Sequence, residues 1–252
     1  IMKYANKLGL LCFSTPFDNS SVDFLEELDV PAYKIGSFEN LHFPLLRKVA
    51  STGKPMIISM GMSTLDEITQ IIEYINDFGC NNYAILKCTS SYPAAPQESN
   101  VSTIADMREK FDCEVGLSDH TPGIGVAVAS IVYGASIIEK HFTLDKADGA
   151  VDSTFSLDPN GLKLLVKETK IAWEAIGKIN YGPTESEYGS IKRRRSIYVS
   201  ETIKKGEIFN SSNLKIIRPG FGLAPKYYDQ ILGKRVNRDL EKGTPVSWEM
   251  FQ

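Results

Sequence analysis

No apolar run in this 252-residue chain approaches the about 18 uninterrupted positions that a helical membrane span needs, so a membrane partner is not indicated. Histidine is scarce at three, tryptophan at two and cysteine at four. Cys12, Cys80, Cys88 and Cys113 show neither metal-finger nor disulfide-framework spacing. In a chain of this length they read as free thiols of a reduced, cytoplasmic compartment. No Gly-rich P-loop and no G-x-G-x-x-G occurs, so neither ATP nor a dinucleotide is indicated. A basic excess is missing too, since the formal net charge is −3. The one basic run, Lys192 to Arg195, has no interleaved aromatics, which argues against nucleic acid. With 42% hydrophobic and 23% charged residues, the composition excludes disorder and supports a sizeable core.

Charge is unevenly placed. From Arg193 onward 12 basic residues stand against 6 acidic ones, a net of +6, which leaves −9 on the rest of the chain. Such asymmetry predicts two modules. In the first part, short apolar runs recur at 23- to 30-residue spacing: Gly9–Thr15, Ala32–Gly36, Pro55–Gly61, Tyr83–Ser90, Cys113–Asp119 and Ile137–Phe142. Their length and β-branched content suit strands buried on both faces. Helical patterns lie between them, with starts expected at Ser20–Ser21 and at Ser63–Ile68, where a Ser or Thr precedes acidic residues. Six successive βα units imply a parallel sheet, either a barrel or a doubly wound sheet. A last helix is predicted over 159–177. The polar, aperiodic stretch 178–194 reads as a linker, and 195–252 as a small β-rich module.

In a β/α barrel the C-terminal strand ends face the active site. Here those ends are polar in succession, although each strand core is apolar. His120 and His141 end neighbouring predicted strands and could share one cation. Two ligands suit an exchangeable divalent ion completed by water, a carboxylate and substrate rather than a four-ligand zinc site. Two histidines that simply hydrogen-bond remain the alternative, and His42, at a helix start, reads as structural. Lys34 and Lys87 lie in strand ends flanked by Ser37, Ser59 and Ser90. Ammonium groups among hydroxyl donors make an anion pocket, and phosphate is its natural occupant. A cation and an anion pocket together suit an aldol-type condensation of a phosphorylated small molecule.

The segments KIGSFE, ISMGMSTLDEI, LKCTSSYPA, GLSDHTPG, GASIIEKHFTLDK and VDSTFSLDP resemble the sialic acid synthase family. RRRSIYVSETIKKGE and IIRPGFGLAPKYYDQILGKRVNRDLEKG look like its C-terminal antifreeze-like (SAF) domain. Within the family, CTSSYP, DSTFSLDP and RPGFGLAPKY look most like pseudaminic acid synthases. N-acetylneuraminate synthases tend to carry Asn where Ser90 stands, and Asp-His where this chain has Asp152–Ser153.

The resemblance implies a TIM-type (β/α)8 barrel, here 1–177 and N-terminally incomplete, followed by an SAF domain over 195–252. It implies a C–C bond-forming transferase that condenses phosphoenolpyruvate with an amino-sugar aldehyde, releasing phosphate. For the pseudaminate branch the acceptor is 2,4-diacetamido-2,4,6-trideoxy-altrose. An N-acetylneuraminate or legionaminate synthase, or a non-catalytic sugar-binding protein, is the alternative. His120 and His141 match metal ligands for Mn²⁺, Mg²⁺ or Co²⁺. Lys34, Ser37, Ser59 and Ser118 match phosphoenolpyruvate-binding positions, to which the residue reading adds Lys87 and Ser90. Tyr92 and Asp152 match acceptor contacts, as does Glu39, placed with the two histidines among the catalytic groups. Arg218 matches an arginine that the SAF domain places over the other subunit's barrel in a domain-swapped homodimer. A +6 module over a −9 barrel would be electrostatically complementary. The chain is expected to start at the family's third strand. That leaves a glutamate acid/base and a further lysine outside it, with exposed strand edges, and makes Ile1 a boundary of the sequence rather than of the protein.

Overall fold

The computed structural model describes residues 1–252, the side chain of Asp148 excepted. Two compact units divide the chain, Ile1–Lys178 and Ile179–Gln252.

In the first unit, β1 (Tyr33–Ile35), β2 (Met56–Ser59), β3 (Tyr83–Cys88), β4 (Glu114–Asp119) and β5 (Ile138–Lys140) form a parallel sheet in sequential order. An unreversed order puts every crossover helix on the same face, as in a barrel and unlike a doubly wound sheet. Lys34 on β1 and Glu139 on β5 nevertheless approach to 3.5 Å. Four strand spacings in a flat sheet would hold them about 19 Å apart. The sheet therefore curls, with those two side chains on its concave face.

The register defines both faces. Tyr33, Ile35, Met56, Ile58, Ile85, Val115 and Leu117 point outward into the main hydrophobic cluster, against helices such as α1 (Phe43–Ala50) and α2 (Leu65–Asp77). The alternate positions, including Lys34, Ser59, Cys88, Ser118 and Glu139, share the concave face. Helix α2 starts at Thr64 with a reciprocal cap to Glu67, as the sequence predicts. The start expected at Ser20–Ser21 falls instead at Asp18, whose carboxylate accepts the Ser21 N–H at 2.7 Å. The last helix of the unit, Pro159–Ile176, is capped by Asp158.

One predicted strand is not formed. Within Gly9–Thr15 only Ser14 pairs, by a bridge to Tyr33, and Leu10 and Leu11 are exposed. Phe13 still packs against the main core, so the run follows the sheet edge without joining its ladder beyond Ser14. On the opposite flank Phe142 pairs in parallel with Leu157, which carries the sheet into the DSTFSLDP segment. Among the described residues no helix is long and apolar enough to cross a membrane.

The second unit has its own core, built on Ile197, Val199, Phe209, Leu214 and Val246. Its strands β6 (Ser196–Val199) and β7 (Leu214–Ile217) pair antiparallel. The stretch read as a featureless linker contains a turn of 3₁₀ helix (Glu185–Glu187) and a short helix (Tyr188–Ile191). Thr184 and Glu187 start it with a reciprocal cap, a local signal strong enough to order a polar, aperiodic segment.

Candidate active site

A cleft of about 360 Å³ opens on the concave face of the first unit. Its floor is one rung of the sheet, where Cys88, Ser118 and Glu139 stand in register. Lys34 Nζ donates to Ser59 Oγ at 2.8 Å and to the Ile35 carbonyl at 2.8 Å, and lies 3.5 Å from Glu139. Ser118 Oγ donates to the same carboxylate at 2.8 Å. Burial pushes the Lys34 ammonium below its usual range, against the upward pull of Glu139. The result is a fixed ammonium bonded to one hydroxyl and set against a carboxylate that holds a second, a cluster of donors suited to a small anion.

His120 and His141 follow Ser118 and Glu139 by two residues, so strand alternation brings them to the same face. Their ring centroids are 5.2 Å apart. His120 Nδ1 lies 2.9 Å from the Thr89 carbonyl oxygen, an acceptor that requires the proton on Nδ1. His141 Nδ1 is 3.3 Å from the Asp152 carboxylate. Both Nε2 atoms are thereby left as potential donors to a cation, with oriented Nδ1–H groups behind them. Burial, opposed by bonds to Cys88 and Thr89 that prevail, leaves His120 above the usual imidazole range. Burial, reinforced by His120, takes His141 below it. Among the described residues no group of three or more His, Cys, Asp or Glu side chains could hold a metal. Two imidazole nitrogens on one face are donors suited to a divalent ion whose other ligands would come from water and substrate.

Ser37 Oγ accepts the Gly61 N–H at 3.0 Å. A Cβ at Gly61 would come within 2.6 Å of that hydroxyl and closer still to the Ser90 hydroxyl, so only glycine permits this approach. Glu39 and Tyr92 line the cleft, and the Tyr92 ring lies 4.3 Å from the His120 ring. Phe155, 2% exposed, backs His141 at 5.0 Å.

The structure thus brings Lys34, Ser37, Glu39, Ser59, Tyr92, Ser118, His120 and His141 to one cleft. Ser90 packs beside Cys88, with Oγ 3.8 Å from Sγ, and Asp152 enters through His141. Lys87 is a correction. It alternates with Cys88 and so faces away from the cleft, where its ammonium bonds the Cys88 carbonyl at 3.0 Å. Arg218 belongs to the second unit, directly after β7. Glu139 and Cys88 were not anticipated, although Glu139 stands two residues before a candidate ligand. Burial pushes the Cys88 thiol up, but bonds from His120 and Ser37, the His120 charge and Ser90 bring it down to about 7.

Residues 1–181 match the NeuB family, and residues 194–252 match the SAF domain. A pseudaminic acid synthase of Campylobacter jejuni (strain 81-176) is 42% identical over 255 residues, covering all of this chain and 74% of the relative. An N,N'-diacetyllegionaminic acid synthase of Campylobacter jejuni is 37% identical, covering 96% of this chain and 73% of the relative. The solved N-acetylneuraminic acid (sialic acid) synthetase of Leptospira borgpetersenii superposes with a TM-score of 0.71 at 32% identity, over 75% of this chain and 66% of that one. The chain therefore spans about three quarters of the length of its curated relatives.

Proposed function

The chain belongs to the NeuB family, and from that premise we propose that it is a pseudaminic acid synthase. The reaction joins C3 of phosphoenolpyruvate to the aldehyde carbon of 2,4-diacetamido-2,4,6-trideoxy-altrose. Water adds at C2 and inorganic phosphate leaves, giving a nine-carbon 2-keto acid. The observation that carries this reading is the single face on which Lys34, Ser59, Ser118 and Glu139 make an anion floor beside the His120–His141 pair. The 42% identity to a pseudaminic acid synthase, against 37% to a legionaminic acid synthase, supports the choice of acceptor.

Lys34, with Ser59 and Ser118, holds the phosphoenolpyruvate anion, and Ser37 and Ser90 set the hydroxyl edge beside it. Fixed donors need no reorganisation as charge moves from the enol toward phosphate. Glu139 keeps Lys34 and Ser118 aimed at one place. Glu39, Tyr92 and Asp152 orient the acceptor, which makes the encounter of C3 with the aldehyde nearly unimolecular. A divalent cation held by His120 and His141 would supply Lewis-acid polarisation of the aldehyde oxygen. Arg218 and a homodimer are assigned on the resemblance alone.

Phosphate release by the full-length protein, measured with phosphoenolpyruvate, Mn²⁺ and each candidate sugar, tests the reading. Turnover with the trideoxy acceptor is expected. Turnover with N-acetylmannosamine alone would sink the pseudaminate assignment, and no turnover with any sugar would favour a binding protein. Gly61→Ala tests the anion edge separately. Its methyl must displace the small Ser37 and Ser90 hydroxyls, so the fold should survive while KM for phosphoenolpyruvate rises about tenfold or more. An unchanged KM would remove those serines from the anion site.

A further inference from the structure

The cleft is polar at its floor but not at its mouth. Phe38 sits between Ser37 and Glu39, both of which serve the site, yet its own side chain joins no core cluster and is 67% exposed. Its ring stacks on Tyr92, with centroids 6.4 Å apart and planes 24° from parallel. Tyr92 in turn leans on His120. Phe17, another exposed ring, lines the same cleft. Aromatic surface gathered at the entrance of a site whose interior is Lys, Ser, Glu and His contributes little to folding and must face whatever binds above the floor.

We propose that Phe38 is a specificity-determining residue, its ring receiving the C6 methyl or C4 acetamido methyl of the trideoxy acceptor in preference to a sugar that carries hydroxyls at those two carbons. The inference rests on the reading of the cleft as a condensing site. A methyl group against the ring sheds water from two apolar surfaces at once. A hydroxyl in the same place loses water and gains no partner, because a phenyl ring offers neither an oxygen nor an N–H. The expected discrimination is that of an apolar wall, tens-fold rather than thousands-fold. The Phe38–Tyr92 stack also holds the Tyr92 ring over His120, so acceptor selection and acceptor placement share one surface.

The test compares wild type, Phe38→Ala and Phe38→Leu in the full-length protein, with 2,4-diacetamido-2,4,6-trideoxy-altrose and N-acetylmannosamine as acceptors. Phe38→Ala should raise KM for the trideoxy acceptor about tenfold, leave KM for phosphoenolpyruvate within about twofold, and shrink the preference between acceptors by the same tenfold. Phe38→Leu should restore most of that preference. Should Phe38→Ala keep the wild-type preference, Phe38 is not the selector. A parallel rise in KM for phosphoenolpyruvate would instead show that the ring only supports Ser37 and Glu39. Wild type that turns over N-acetylmannosamine alone would overturn the functional reading itself, an outcome distinct from both.

Discussion

Lys34→Met is expected to lower kcat/KM for phosphoenolpyruvate by about a hundred- to a thousandfold while leaving the protein as stable as before or more so. The two halves of that result have one cause. The Lys34 ammonium sits in a buried place, 9% exposed, and burial is the largest influence on its pKa, pushing it down. Glu139 is the chief counterweight and does not fully offset it. A lysine whose folded pKa lies below its unfolded one is held protonated at a cost in stability. That cost is fully present at pH values below both, and is released as pH rises through the folded value. At neutral pH methionine fills a similar volume without the charge and removes that cost, while Glu139, 40% exposed and still bonded by the Ser118 hydroxyl, is left where water can solvate it rather than as a buried unpaired charge. The anion loses its fixed positive partner, and Ser59 and Ser118 remain as neutral donors. Steady-state kinetics and urea unfolding of the same preparation measure both halves. A variant that loses activity together with several kcal/mol of stability would mean that Lys34 is structural. Retained activity would mean that the anion is held elsewhere.

Much of this is legible in the sequence. The apolar runs around Ile35, Ile58, Ile85 and Leu117 announce buried strands, and Thr64 with Glu67 announces a helix start. Local chemistry of this kind is written within a few residues. What escaped is nonlocal or depends on pairing. Gly9–Thr15 carries as good a strand pattern as its neighbours, but only Ser14 enters the ladder, and pairing is decided by residues distant in the sequence. Lys87 satisfies every criterion of a polar strand end and fails only on the alternation that its neighbour Cys88 fixes. Glu139 joins the site through Lys34, which lies at the far edge of the sheet. No window of sequence contains that meeting, since curling alone brings it about. The helix beginning at Tyr188 shows the opposite case, a short cap signal at Thr184 that a compositional reading passes over.

Asp119 and Lys140 carry the largest expected effect on stability, and they lie behind the site rather than in it. They end β4 and β5 and alternate with Ser118 and Glu139, so they meet on the outer face of the sheet. Their charged atoms are 2.7 Å apart, with the Lys140 side chain 2% and the Asp119 side chain 1% exposed. Asp119 Oδ1 also accepts the Thr121 N–H at 2.9 Å and its hydroxyl at 2.8 Å, and Lys140 Nζ donates to the Thr121 carbonyl. Asp119→Ala leaves an ammonium buried with a single carbonyl partner, for which a loss of about 3–5 kcal/mol is expected. That is a large share of the about 5–15 kcal/mol that holds a typical domain together. Asp119→Asn with Lys140→Met should behave differently. Asparagine keeps an oxygen for the Thr121 N–H and hydroxyl, and no charge is left unpaired. A cost of about 1 kcal/mol or less is expected for the double variant, well under the sum of the single ones. Hydrogen exchange at the amides of β4 and β5 reports this unit without interference from the second. Costs that simply add would mean that the two side chains act independently. The strands that present His120 and His141 would then be held together by their backbone ladder alone.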